Sequence, residues 1–178
     1  TTNDSPASYV LGANTVTWTV TDGSGRTATA QQIVTVVDNI DPTITAPNAV
    51  SVNVDAGTCT AATANVALGN ATTNDNCSVA STTNDSPASY ALGATTVTWT
   101  VTDAAGNSAT DSQIVTVVDN IDPVASAQNI TAALAANGSV TITAAQVDAG
   151  STDNCTTVSS ALDQTVFACA DLGANTVT

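Results

Sequence analysis

The chain has 178 residues and one basic side chain, Arg26, against 15 acidic ones, all of them Asp, for a formal net charge of −14. Such a field repels nucleic acid and anionic membrane surfaces, which proteins hold through Lys and Arg, and no run of about 18 apolar residues is present to span a bilayer. Lys, His and Glu are absent, so the usual general bases are missing and catalysis is not expected.

Residues 1–6 are polar and end in a turn signal at Pro6, and residues 7–11 form a short extended piece carrying Tyr9. Gly12 permits a tight turn because it has no Cβ. Residues 15–21 read TVTWTVT. This strict alternation puts Val16, Trp18 and Val20 on one face and four Thr on the other, as in a half-buried strand. Asp22-Gly23-Ser24-Gly25 is a hairpin turn. Residues 27–37 return as the next strand, with apolar residues on both faces, so its inward side is not assigned. Asp38-Asn39-Ile40-Asp41-Pro42 closes the unit as a rigid junction, since Pro42 cannot donate to a ladder and biases Asp41 towards extended backbone.

Val50, Val52 and Val54 alternate with polar residues as a strand, and Asp55-Ala56-Gly57 is a turn. A second strand is predicted over residues 58–64 and a third over 78–83, separated by a polar loop at 69–76. The chain then repeats itself. Residues 82–123 copy residues 1–42 without a gap at an offset of 82 − 1 = 81, with 8 differences in 42 positions. A third echo, LGANTVT at 172–178, matches 11–17. Self-similarity at a fixed period sets the architecture. Residues 1–41 read as the C-terminal half of one module, 42–122 as a complete module and 123–178 as the N-terminal part of a third. Disorder is rejected because 43% of the residues are hydrophobic and they alternate. Short strands with turn signals every ~8–12 residues predict an all-β fold of tandem immunoglobulin-like β-sandwich modules.

Four cysteines, Cys59, Cys77, Cys155 and Cys169, point to disulfides and an oxidising compartment. Zinc is disfavoured, with no C-x-x-C and no His. Four cysteines allow three connectivities. The second and third modules each keep two cysteines and shift one, which favours Cys59–Cys77 and Cys155–Cys169.

The run Tyr-x-Leu-Gly-x-x-Thr-Val-Thr-Trp-Thr-Val-Thr-Asp-x-x-Gly, then a Val-rich strand and Asp-x-x-x-Pro, begins at Tyr9 and again at Tyr90. It resembles the hyalin-repeat (HYR-like) immunoglobulin modules, as do the Asp-Asn-Cys triplets at Asp75 and Asp153. The Thr/Asn/Asp-rich, Lys-free style is similar to tandem arrays in giant secreted surface adhesins of Bacteroidota, including gliding-motility adhesins exported by the type IX system. The resemblance implies an extracellular, cell-surface stalk or adhesin segment.

Calcium is the candidate cofactor. It takes roughly six to eight oxygen ligands from carboxylates, amides and carbonyls. In an immunoglobulin-like module the entering junction lies at the same end as the loops carrying Asp75 and Asp103. Asp38, Asn39, Asp41, Asp75 and Asp103 are therefore one candidate set, and Asp119, Asn120, Asp122 and Asp153 are its counterpart one repeat later. The same residues also make ordinary turns by bonding to nearby backbone. No catalytic residue is assigned. Trp18 and Trp99 are expected in cores, and Tyr9 and Tyr90 are candidates for a corner tyrosine.

The leading expectation is a stiff structural and adhesive repeat segment of a long surface protein. The alternatives are a spacer or ligand-binding module of a secreted enzyme, and a self-assembling fibre subunit. Expected partners are neighbouring modules, other copies in a filament, and surface glycans or proteins, with neither nucleic acid nor membrane insertion.

Overall fold

Alternation and turn chemistry decide where the strands run in the computed structural model, which describes residues 1–178. The chain is all-β, and its content is that of immunoglobulin-like sandwiches. In order it forms β1 (Thr2–Asn3), β2 (Gly12–Thr21), β3 (Thr27–Val36), β4 (Thr43–Thr45) and β5 (Val50–Asn53). Then come β6 (Thr60–Ala62), β7 (Thr72–Asn74), β8 (Val79–Asn84), β9 (Ser89–Ala91), β10 (Gly93–Asp103) and β11 (Ser108–Val118). The last elements are β12 (Ser139–Thr141), a one-turn helix α1 (Ala144–Val147) and β13 (Val166–Ala168). Four of the strands hydrogen-bond in the order β5-β11-β10-β8. Two compact units emerge, one of Thr1–Asn48, Leu68–Ser86 and Thr96–Gln113, the other of Ala49–Ala67, Pro87–Thr95 and Ile114–Thr178.

In the first unit β2 and β3 form a long antiparallel hairpin, from Thr21↔Thr27 at its turn to Gly12↔Val36 at its base. The turn is built as its residues dictate. The Asp22 carboxylate accepts the backbone N–H groups of Ser24 and Arg26, both at 2.8 Å, and Gly25 takes φ +83°, a left-handed value that glycine adopts without a steric penalty. β1 pairs on the other edge of β2, with Thr2 opposite Thr19, and the second copy repeats this as Thr83 of β8 opposite Thr100 of β10. The small sheet β4–β7 belongs to the same unit. Its core holds Val97, Trp99 and Val101, 0–6% exposed, around a buried amide, Gln113. That amide is fully used: Nε2 donates to the carbonyls of Asn48 (2.8 Å) and Leu68 (2.9 Å), and Oε1 accepts the Trp99 indole N–H at 3.1 Å. A buried polar group so satisfied holds three chain segments together instead of costing stability.

Trp18 departs from expectation. It keeps the matching bond, donating to Gln32 at 2.8 Å, but it is 39% exposed and Gln32 is exposed too. In the second unit β11 runs parallel to β5, Val115↔Val50 through Val118↔Asn53, and the neighbouring β6–β9 pair buries Ala61 and Tyr90. β12 pairs with β13, and the bridges Val124↔Thr152 and Ala127↔Asp148 tie the chain around α1. The cysteine pairing also differs from the within-module expectation. Cys59 is bonded to Cys155, while Cys77 and Cys169 are exposed free thiols. The cause is local packing. Asn154 donates its side-chain amide to the Thr58 carbonyl at 2.8 Å, which brings the Cα atoms of Cys59 and Cys155 to 4.8 Å, inside the range a disulfide requires.

Candidate functional site

Three of the expected acidic residues converge in the first unit. Asp38, Asp75 and Asp103 each offer a carboxylate oxygen, and these oxygens lie within 4.8 Å of one another. Ca²⁺–oxygen bonds of about 2.3–2.6 Å place any two ligands of one ion no more than ~5 Å apart, so the three oxygens fit a single cation.

Each carboxylate is held by its own loop. Asp38 follows the hairpin β2–β3. Its Oδ1 accepts the Ile40 N–H and the Asn76 amide, both at 3.2 Å. Asp75 closes β7, and its Oδ2 accepts the N–H groups of Cys77 and Ser78, both at 2.8 Å. Asp103 ends β10 and is 2% exposed. Its Oδ1 accepts the N–H groups of Gly106 (2.6 Å) and Asn107 (2.8 Å), and its Oδ2 the Asn107 amide (2.7 Å). The Asn107 amide also reaches the carbonyls of Asp38 (3.3 Å) and Ile40 (3.4 Å), joining the β10–β11 turn to the segment after β3. These bonds aim the carboxylates before any ligand arrives.

Two oxygens of the cluster are hidden from solvent without a hydrogen-bond partner, Asp38 Oδ2 and Asp75 Oδ1. Hidden carboxylate oxygens need a partner, and a cation supplies one. The hydrogen bond from the Ile40 N–H, then those from the Cys77 thiol and the Asn76 amide, hold the Asp38 carboxyl below the usual carboxylate range. The Cys77 thiol is pushed up, first by its bond to Asp38, then by burial and by the negative charges of Asp38, Asp75 and Asp103. Asp38 is therefore held as a carboxylate and Cys77 as a protonated thiol, which suits a hard, oxygen-seeking cation.

Asn39 and Asp41 are exposed beside the cluster and are not among the three converging residues. Of the later set, Asp119 turns its Oδ1 to the Ile121 N–H, and Asp153 its Oδ2 to the N–H groups of Cys155 and Thr156. With Asn120 and Asp122 they do not gather into a comparable group of three. Sequence reasoning missed Asn107 and Asn76, whose amides orient the cluster. The only signal for Asn107 was its place in the hairpin turn four residues after Asp103.

The family model for the HYR domain matches residues 37–118. No curated protein matches the chain. HYR domains are non-enzymatic, adhesion-type modules of extracellular proteins. No helix here is long and apolar enough to cross a membrane. The matched span begins just before Asp38 and takes in all three converging carboxylates.

Proposed function

We propose that the chain is a structural and adhesive repeat segment of a long extracellular surface protein, with calcium lashing the segment after β3 to the loops that carry Asp75 and Asp103. The observation that carries this reading is the convergence of Asp38, Asp75 and Asp103 within 4.8 Å inside the span that matches the HYR domain. A divalent ion relieves the repulsion among the three carboxylates and fixes the angle at which the chain passes from one repeat to the next. Stiffness of this kind is what a stalk needs, and repetition lets weak contacts with surface glycans or proteins add up by avidity. The Lys-free, Thr- and Asn-rich repeats support a giant secreted surface adhesin of the gliding-motility type in Bacteroidota as the setting.

The test is thermal unfolding with and without Ca²⁺. At a concentration about ten times Kd, the melting temperature rises by roughly 5–10 °C, chelator reverses the rise, and Asp75→Asn abolishes most of it. An unchanged melting temperature at millimolar Ca²⁺, or an equal rise in the variant, refutes the calcium lash.

A further inference from the structure

Two peptide bonds of the chain join Asp to Pro, Asp41–Pro42 and Asp122–Pro123, and each closes one of the repeated Asp-Asn-Ile-Asp-Pro junctions. The aspartates at these two positions stand apart from the rest. The other 13 of the 15 each accept at least one hydrogen bond through the side chain. The carboxylates of Asp41 and Asp122 accept none, and both residues are exposed. The contrast holds within a single junction. Asp38 takes the Ile40 N–H at 3.2 Å and Asp119 the Ile121 N–H at 3.1 Å, which ties each first aspartate to its own turn. Arg26, the chain's one basic side chain, bonds to neither of the second aspartates. Their carboxylates are left to turn towards their own main-chain carbonyls.

Proline decides what such a carboxylate can do. Before any other residue, the following N–H nitrogen competes for the side-chain carbon and closes a succinimide, which leaves the chain intact. Proline has no N–H, and that path is shut. What remains is attack by the carboxylate on its own carbonyl carbon, and an intramolecular nucleophile in reach of its target acts as if at very high concentration.

We propose that Asp41–Pro42 and Asp122–Pro123 are acid-cleavable joints of the chain. A carboxylate oxygen of Asp41 bonds to the Asp41 main-chain carbonyl carbon and closes a five-membered cyclic anhydride. The bond from that carbon to the Pro42 nitrogen breaks, and the nitrogen keeps the electron pair and takes a proton from the acid medium. Water then opens the anhydride, which restores the side-chain carboxyl and leaves a free α-carboxyl on Asp41. Nothing is oxidised or reduced; the net reaction is hydrolysis of one peptide bond, with Pro42 as the new N-terminus. The same steps at Asp122 free Pro123. The piece between the two cuts is residues 42–122, and 122 − 41 = 81 residues is one whole period of the repeat. It stays bonded to residues 123–178 through Cys59–Cys155 until that disulfide is reduced, so acid and reductant are both needed to part them. The inference goes beyond the stalk reading and is independent of calcium, because neither Asp41 nor Asp122 belongs to the converging triad.

Incubation of the full chain with chelator in dilute formic acid, at an acidity where circular dichroism still shows the folded sheet, tests it by mass spectrometry after reduction. Residues 1–41, 42–122 and 123–178 accumulate as separate fragments, at a rate within about tenfold of a short peptide carrying Asp-Asn-Ile-Asp-Pro. Bonds after the other aspartates survive at least tenfold longer. Asp41→Glu keeps the charge but enlarges the ring, and it slows the first cut at least tenfold while leaving the second unchanged; Asp122→Glu does the reverse. Both substitutions fall on exposed side chains without partners, so both variants keep the fold. A folded chain that stays intact while the peptide is hydrolysed, scission at a comparable rate after aspartates not followed by Pro, or glutamate variants cut as fast as the wild type overturns the inference.

Discussion

Trp99 and Trp18 are a built-in control, the same residue at the same place in two copies of one hairpin, and replacing each by Ala tests whether burial or sequence sets its worth. Trp99 is 6% exposed and Trp18 39%, a difference of 33%. On an indole side chain of about 250 Å² this is ~80 Å², or about 2 kcal/mol at ~25 cal/mol/Å². Trp99→Ala also removes the donor that satisfies Gln113 Oε1, and Gln113 is 1% exposed. An unmet buried acceptor costs about 1–3 kcal/mol. Gln32, the partner of Trp18, is exposed, and water replaces the lost bond there. Trp99→Ala should therefore destabilise by roughly 3–5 kcal/mol and exceed Trp18→Ala by about 3 kcal/mol. Urea unfolding followed by far-ultraviolet circular dichroism, in chelator and at concentrations where the chain is monomeric, measures both. Midpoint shifts that agree within ~0.5 kcal/mol would show that the exposure difference carries no energy, and the reasoning would fail.

Other outcomes follow from the same geometry. Thiol labelling of the native protein should add two adducts, at Cys77 and Cys169, with two more appearing only after reduction. At neutral pH Cys77 should react more slowly than Cys169, because its neighbouring carboxylates keep the thiol protonated. Four adducts, or none, before reduction would contradict the Cys59–Cys155 bond. Asp38, Asp111, Asp148, Asp153 and Asp163 are all held below their ordinary value of 3.8 by hydrogen bonds, chiefly from backbone N–H groups. Their folded values lie below their unfolded ones, so their stabilisation is complete above the unfolded value and is lost as pH falls through the lower folded values. Urea midpoints measured from about pH 5 to about pH 2 should drop accordingly, and a flat profile would count against these bonds. Gly106→Ala should cost about 1–2 kcal/mol from backbone strain alone, since Gly106 sits at φ +97° with open space where a Cβ would point.

The strands were legible where one face is apolar and the other is not. The TVTWTVT run became β2, and Val50, Val52 and Val54 marked β5. β11 was legible as a strand, but its inward face was not, because both faces carry apolar residues and the buried one includes an amide. Gln113 is buried with Val115 and Val117, and nothing in its residue type announces the three partners that make this tolerable. The acidic site was half legible. A repeat with its junction at one end pointed to Asp38, Asp75 and Asp103, which span 65 residues of chain (103 − 38). Asn39 and Asp41 looked equally suitable, and the hidden Oδ2 of Asp38 with its bond from the Asn76 amide shows which side chain of the junction turns to the cluster. The cysteine pairing was not legible. Spacing measures distance along the chain, and the Asn154–Thr58 bond that brings Cys59 and Cys155 together acts across 96 residues.

The Cys59–Cys155 disulfide has a mechanical meaning. In a chain pulled from its two ends, tension crosses from Cys59 to Cys155 through the sulfurs and bypasses the 96-residue separation between them. That stretch includes β10 and β11, so the covalent path of the pull bypasses the best-buried hairpin while the disulfide is intact, and load reaches it only through non-covalent contacts such as its pairing with β5. Reduction releases it. At about 3.4 Å per extended residue the hidden length is roughly 330 Å. The molecule then becomes a tether whose reach under force depends on the redox state of its surroundings, short in oxidising medium and long in reducing medium.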